Sequence, residues 1–168
     1  MKITKFEHAC LVVEKDGKKV VVDPGAYTTS LGTPEGVIAI VITHEHQDHF
    51  LIDHVKRIIE ANPDAKVLAH ESLKDQLEGL PFQAVTSDTG INVGPFHFEF
   101  FGKLHTQVHP SIPQVPNLGV MIDDYLYYPG DSYTVPTKLV TILALPVNGP
   151  WAKFSQTVDY MMELKPKV

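Results

Sequence analysis

The chain has 168 residues, and its 14 basic and 20 acidic side chains give a formal net charge of −6. A chain of this length predicts a single domain over residues 1–168, because domains commonly contain about 100–150 residues. The longest apolar runs, 37–42 and 139–145, are far shorter than the roughly 20 residues of a transmembrane helix. The chain has no cluster of Lys and Arg. A nucleic acid or an anionic membrane is therefore not expected as a partner. Cys10 is the only cysteine, which excludes an intramolecular disulfide, and the start lacks an apolar leader, so a cytoplasmic location is expected.

The first half of the chain predicts antiparallel strands followed by alternating strands and helices. Short strands are expected over 2–6, 10–14 and 18–22. The run 37–43 is continuously apolar and rich in β-branched residues, which is typical of a strand buried on both faces. Apolar side chains recur at helical spacing over 51–59, and Asn62 with Pro63 ends that helix. A strand over 66–69, a helix over 71–79 and a strand near 83–86 follow.

The second half predicts another group of strands and a closing helix. Strands are expected over 97–101, 120–122, 125–128 and 139–145. A loop that contains His109 and three prolines follows the first of these strands, and it is too irregular for a helix. Residues 154–164 predict an amphipathic helix. The chain has neither a Gly-rich phosphate-binding loop nor a tandem repeat.

Six consecutive residues after the strand over 37–43 form an HxHxDH motif, from His44 to His49. Imidazole and carboxylate groups are ligands of zinc, and a catalytic zinc site leaves one position for water. On a tight loop His44 and His46 can point to one side while Asp48 and His49 turn to the other, so the motif could serve two adjacent ions. A solvated, histidine-rich turn is the alternative, but groups crowded in this way repel one another without a cation. The motif therefore predicts a metal site.

His105 and Asp131 are further candidate ligands, because each comes directly after a predicted strand. Ligands that are distant in sequence can converge where strands end. On its own, His105 is more typical of a structural histidine. Asp131 in Pro-Gly-Asp is equally typical of a turn. Together with the HxHxDH motif, both are predicted to bind metal.

These residues resemble the metallo-β-lactamase-fold hydrolase superfamily. Residues 43–49, His105 and the pair Gly130-Asp131 carry the resemblance over nearly the whole chain. Flanking segments resemble a small bacterial subgroup of metal-dependent hydrolases that is related to ascorbate-phosphate lactonases; they are 6–10, 22–25, 104–110 and 145–151. The resemblance implies an α/β fold, the αββα four-layer sandwich, that is C-terminally incomplete. The family's last histidine ligand follows a strand that would begin near Lys165, and His109 is the substitute that the sequence offers.

The resemblance also implies a role for each candidate ligand. The first metal is expected on His44, His46 and His105, and the second on Asp48 and His49, with Asp131 bridging both. Asp48 and Asp131 are the expected catalytic carboxylates. The expected cofactor is one or two Zn²⁺ ions, with Mn²⁺ or Fe²⁺ as alternatives.

Three other residues are expected to contact substrate or to support the ligands. Asp23 follows a strand and suits either a turn or the support of a metal-bound histidine, which usually donates its other N–H to a carboxylate. His8 suits a substrate contact or a packed strand position. His109 suits substrate binding, proton transfer or packing against the proline loop. Trp151 is expected to be a core or interface aromatic residue.

The expected function is metal-dependent hydrolysis of a small, anionic substrate of the lactone or phosphoester class. A metal-binding or structural protein without activity is the alternative. A di-iron oxygen or nitric-oxide reductase is less favoured, because His46 stands where those relatives generally carry Glu. A small-molecule substrate is the expected partner, with no nucleic acid and no membrane. A homodimer is also expected, because a missing last strand would leave a sheet edge uncovered.

Overall fold

A computed structural model describes residues 1–168. The chain divides into two compact units, of which the first contains residues 1–85 and 92–96 and the second contains residues 86–91 and 97–168. The single domain expected from the sequence stays a prediction. Neither α-helix has the length and apolar character that crossing a lipid bilayer would require.

The first unit contains a six-stranded sheet and one α-helix. Its strands, in both chain and sheet order, are β1 (Lys2–Lys5), β2 (Leu11–Lys15), β3 (Lys18–Val22), β4 (Val37–Ile42), β5 (Lys66–Ala69) and β6 (Phe82–Ala84). β1, β2 and β3 pair antiparallel, and β3 to β6 pair parallel. The helix α1 (Ile52–Ala61) connects β4 to β5 and contributes Val55 and Ile58 to the core.

β4 positions the HxHxDH motif. It lies between β3 and β5, and all but one of its residues are buried, as its continuous apolar sequence predicts. Because parallel strands end at the same edge of a sheet, Asp23 after β3 lies beside the end of β4. The Asp23 N–H donates to the carbonyl of Val41 at 2.9 Å. The motif therefore starts next to a buried carboxylate.

The second unit is built around a five-stranded sheet with the order β11-β10-β9-β8-β7. These strands are β7 (Gly90–Val93), β8 (Phe96–Phe101), β9 (Gly119–Ile122), β10 (Leu126–Tyr128) and β11 (Ile142–Leu143). β8, β9 and β10 pair antiparallel, and β11 pairs parallel with β10. The helix α2 (Phe154–Leu164) packs Tyr160 against Phe101, Met121 and Tyr127. The backbones of Lys167 and Val168 hydrogen-bond to Thr141 and Leu143.

Two predicted elements are much shorter in the structure than the sequence predicts. The helix expected over 71–79 is a single 3₁₀ turn, Glu71–Leu73, followed by turns. Only Leu73 and Leu77 bury apolar side chains there, too little to offset the nucleation of a longer helix. The strand expected over 139–145 is limited to Ile142–Leu143, and Leu139 is 91% exposed. β10 has only three residues and therefore offers few backbone partners to this run.

Candidate metal centre

A buried hydrogen-bond network fixes the start of the HxHxDH motif. Asp23 is fully buried, and its carboxylate accepts three hydrogen bonds. The Thr43 N–H donates to Oδ1 at 2.8 Å, and the Thr43 hydroxyl donates to Oδ2 at 2.6 Å. His49 Nδ1 lies 2.7 Å from the same Oδ2. One buried carboxylate therefore holds both ends of the motif.

This network also determines which nitrogen carries the proton in two histidines. An ionised carboxylate only accepts hydrogen bonds, so His49 must be protonated at Nδ1. The Thr43 hydroxyl has one proton, which it donates to Asp23. It therefore accepts from His44 Nδ1 at 3.0 Å. In the neutral form, both rings then have their lone pair on Nε2, as a metal ligand requires.

The histidine and carboxylate side chains of the first unit cluster closely. The ring centroid of His44 lies 4.8 Å from that of His46 and 4.2 Å from that of His49. Ligand atoms of His8, Asp48 and His49 all lie within 4.8 Å of one another, as do those of Asp23, His44 and His49. Buried imidazoles with oriented lone pairs beside carboxylates are the donor set of a divalent cation such as zinc. These residues therefore fit the metal that the sequence predicts.

Gly25 holds the second half of the HxHxDH motif in place. A Cβ atom on Gly25 would lie 1.9 Å from the carbonyl oxygen of Asp48, so no other residue fits at this position without moving the loop. The neighbouring Ala26 N–H donates to the carbonyl of Gln47 at 2.7 Å. The close contact of these two backbone segments sets the position of Asp48 and His49.

The second unit contains the other two predicted ligands, His105 and Asp131. His105 is buried, and its Nδ1 donates to the carbonyl of Thr106 at 2.5 Å. Its Nε2 lies 3.3 Å from Asp131 Oδ2. The Thr106 N–H donates to the Asp131 carbonyl at 2.9 Å, which ties the two predicted ligands together through their backbones. His105 is thus also protonated at Nδ1, with its Nε2 facing a carboxylate.

The sequence does not indicate two residues that support Asp131. The indole N–H of Trp151 donates to Asp131 Oδ2 at 2.9 Å. The buried side chain of Asn117 accepts from the Asp131 N–H at 3.1 Å and donates to the Pro129 carbonyl at 2.9 Å. Trp151 is buried, as expected of a core aromatic, but its polar atom contacts a predicted ligand. A single tryptophan or asparagine outside a motif gives no signal of such a role.

His109 and His70 hydrogen-bond to nearby serines, and burial shifts the pKa of His54 and of Cys10. His109 is exposed, and its Nδ1 lies 2.7 Å from the Ser111 hydroxyl. His70 accepts from the Ser72 N–H, and burial lowers the pKa of His54. Cys10 is fully buried, and burial raises its pKa to about 12. Cys10 is therefore the small core residue that the sequence predicts, with no thiolate near neutral pH.

Comparison with known proteins decides the family. A family model described as a β-lactamase superfamily domain matches residues 2–168. The chain belongs to the β-lactamase superfamily. This superfamily membership confirms the relationship that the HxHxDH motif predicts.

Individual relatives agree with this assignment. Protein Rv0786c of Mycobacterium tuberculosis is 33% identical over 99% of this chain and 80% of the relative. A UPF0173 metal-dependent hydrolase of Aeropyrum pernix is 36% identical over 53% of this chain and 36% of the relative. A crystal structure from Parabacteroides distasonis has a TM-score of 0.82 at 23% identity, covering 98% of this chain and 78% of that chain. The predicted α/β class and metallo-β-lactamase fold are confirmed, and the chain is a member of a superfamily of metallo-hydrolases.

Proposed function

We propose that this superfamily member is a metal-dependent hydrolase that cleaves a small, anionic lactone or phosphoester with activated water. The observation that carries the proposal is the network of Asp23 and Thr43. In this network a fully buried carboxylate orients His49 directly and His44 through the Thr43 hydroxyl. A purely structural turn would gain nothing from this, because burying a charge is costly. Preparing two imidazoles for a cation accounts for the arrangement.

The proposed ligands are those that the family resemblance implies. His44, His46 and His105 would hold one ion, Asp48 and His49 a second, and Asp131 both. Zn²⁺ is the proposed metal, with Mn²⁺ or Fe²⁺ as alternatives. When bound, such a cation supplies Lewis acidity and lowers the pKa of coordinated water to about 7.

The chain's own groups would position the reactants. Asp131 is the proposed acceptor of the proton from the attacking water, and the Trp151 indole N–H fixes the orientation of its carboxylate. Asp48 is the second proposed catalytic carboxylate, and His8 Nε2 donates to its Oδ2 at 2.8 Å. Each carboxylate is thus held in one rotamer before substrate arrives, which is the preorganisation that hydrolysis benefits from.

Turnover by the metal-loaded protein tests the proposal. We expect hydrolysis of bis(p-nitrophenyl) phosphate or of a δ-lactone, and a loss of about 10²–10⁴-fold in rate for Asp131→Ala. Asp64→Ala, which alters an exposed carboxylate beyond the end of α1, is the matched control and should retain the rate. Stoichiometric metal without turnover of either substrate would instead support a metal-binding protein. A metal-replete Asp131→Ala with full activity would contradict the role of Asp131.

The remaining expectations from the sequence stay predictions. They are a cytoplasmic location, a homodimer, and a small-molecule partner in place of nucleic acid or membrane.

A further inference from the structure

We propose that His8 is itself a metal ligand and completes the second cation site with Asp48 and His49. This inference rests on the proposed function only for the assignment of Asp48 and His49 to that ion. At the level of sequence, His109 is another candidate histidine ligand. In the structure, however, the side chain that lies beside Asp48 and His49 within the first unit is that of His8.

The loop between β1 and β2 presents His8 to this pair. His8 has a φ of 54°, in the left-handed region that residues other than glycine rarely adopt. Its carbonyl accepts a hydrogen bond from Lys5 Nζ. The ring packs edge-on against His49 at 5.6 Å and against Tyr27 at 5.2 Å. The backbone and two neighbouring rings therefore hold the imidazole in one direction.

The separations of the three ligand atoms suit a cation. Ligands bound at about 2.1 Å in tetrahedral geometry lie about 3.4 Å from one another. His8 Nε2 lies 2.8 Å from Asp48 Oδ2, and His49 Nε2 lies 3.9 Å from the same oxygen. The two distances fall on either side of the ideal value. Small side-chain rotations would therefore bring all three atoms to bonding distance.

Protonation is also compatible with metal binding. His49 has its lone pair on Nε2, because Asp23 holds the proton on Nδ1. His8 now donates its Nε2 proton to Asp48, so binding a cation requires the neutral ring to change tautomer, losing the proton at Nε2 and gaining one at Nδ1. The His8 side chain is 37% exposed, which lets water take the proton from Nε2 and supply one to Nδ1. Asp48 then exchanges a hydrogen bond for a bond to the cation.

Metal titration of three histidine variants tests the proposal. We expect the wild-type protein to bind two Zn²⁺ per chain by calorimetry and elemental analysis. His8→Ala should weaken one equivalent by about 10²-fold or more, because losing even a supporting partner of a ligand costs about 10–100-fold. The other equivalent should be retained. His109→Ala tests the rival ligand, and His70→Ala, at a partly exposed histidine outside the proposed ligands, is the matched control; both should bind two equivalents as the wild type does.

Two further measurements separate coordination from mere support of Asp48. His8→Gln can still donate a hydrogen bond to Asp48 but is a poor zinc ligand, so we expect it to behave as His8→Ala. In the wild-type protein, the ¹⁵N resonance of His8 Nε2 should change from a protonated to a metal-bound nitrogen when Zn²⁺ is added. This measurement requires no variant to fold.

The proposal would be overturned by a single equivalent of Zn²⁺ in the wild type, by unchanged affinity in His8→Ala, or by rescue in His8→Gln. A His8 Nε2 that remains protonated at saturating Zn²⁺ would overturn it as well. None of these outcomes depends on turnover, so hydrolysis by a protein with one ion would leave the proposed function standing while this inference fails.

Discussion

Asp23 accepts hydrogen bonds from the Thr43 backbone, the Thr43 hydroxyl and His49 at a position closed to solvent. In Asp23→Asn an NH₂ group replaces one carboxylate oxygen and therefore meets a donor in either orientation. A buried donor without an acceptor costs about 1–3 kcal/mol, so we expect the free energy of unfolding to fall by that amount. If His49 changes its tautomer instead, its Nε2 lone pair is lost and Zn²⁺ affinity should fall about 10–100-fold.

Urea unfolding and zinc competition measure these two effects. Asp64→Asn removes an exposed carboxylate and should leave both quantities unchanged. An Asp23→Asn protein with wild-type stability and wild-type zinc affinity would show that the carboxylate does not orient the histidines.

At the residue scale, the sequence identifies groups that are dense in a short motif and misses those that act singly. Residues 44–49 stand out because imidazoles and a carboxylate recur within six positions. Asn117 and Trp151 contact Asp131 through single hydrogen bonds that no spacing encodes. The contact of Gly25 with Asp48 is likewise visible only once the backbone path is known.

The connection between α1 and β4 depends on the side chain of Asn62. Asn62 Oδ1 accepts from the Val37 N–H at 3.0 Å, and Nδ2 donates to the carbonyls of Pro34 and Ile58 at 2.9 Å. This buried amide ties the end of α1 to the start of β4, the strand that leads to the HxHxDH motif. We expect Asn62→Ala to lower the free energy of unfolding by at least about 1–3 kcal/mol, since the Val37 N–H loses its acceptor in a buried position.

Chemical denaturation monitored by circular dichroism checks this expectation. Gln76→Ala, which truncates an exposed amide, is the matched control and should unfold as the wild type does. Equal midpoints for the two variants would show that the Asn62 bridge adds nothing to stability.

Patterns of apolar residues correctly predict the helices and strands that bury a whole face. The same patterns overestimate the length of a strand that has few neighbouring backbone groups to pair with. β3, β5 and α2 begin and end where the sequence predicts, and β4 ends one residue earlier. The sequence correctly predicts that Asn62 ends α1, but the bridge from Asn62 to Val37 depends on tertiary contacts. The run 139–145 shows the opposite case, because it is apolar but meets only a short neighbouring strand. The length of that strand is limited by the number of backbone groups available for pairing, which the periodicity of apolar residues does not describe.

At the scale of the whole molecule, the proposed ligands come from residues 44–49 and from His105 and Asp131, which are far apart along the chain. Unfolding would separate such ligands, so the proposed cation would bind the folded chain much more tightly than the unfolded one. Any such ligand stabilises the folded state by mass action, by about 2.7 kcal/mol when its free concentration is 100 times Kd. For a chain of this size, that corresponds to a rise in Tm of about 5–10 °C.

We therefore expect Tm to fall when the protein is dialysed against a chelator and to recover when Zn²⁺ is returned, with a rise that grows with zinc concentration. Differential scanning calorimetry measures both steps. His44→Ala, which lacks one proposed ligand of the first ion, should show a smaller rise than the wild type. The control variant His70→Ala, at a partly exposed histidine outside the proposed ligands, should show the full rise. A Tm that does not respond to chelator or to zinc in the wild-type protein would mean that these side chains do not bind the cation in the folded state, whatever their arrangement.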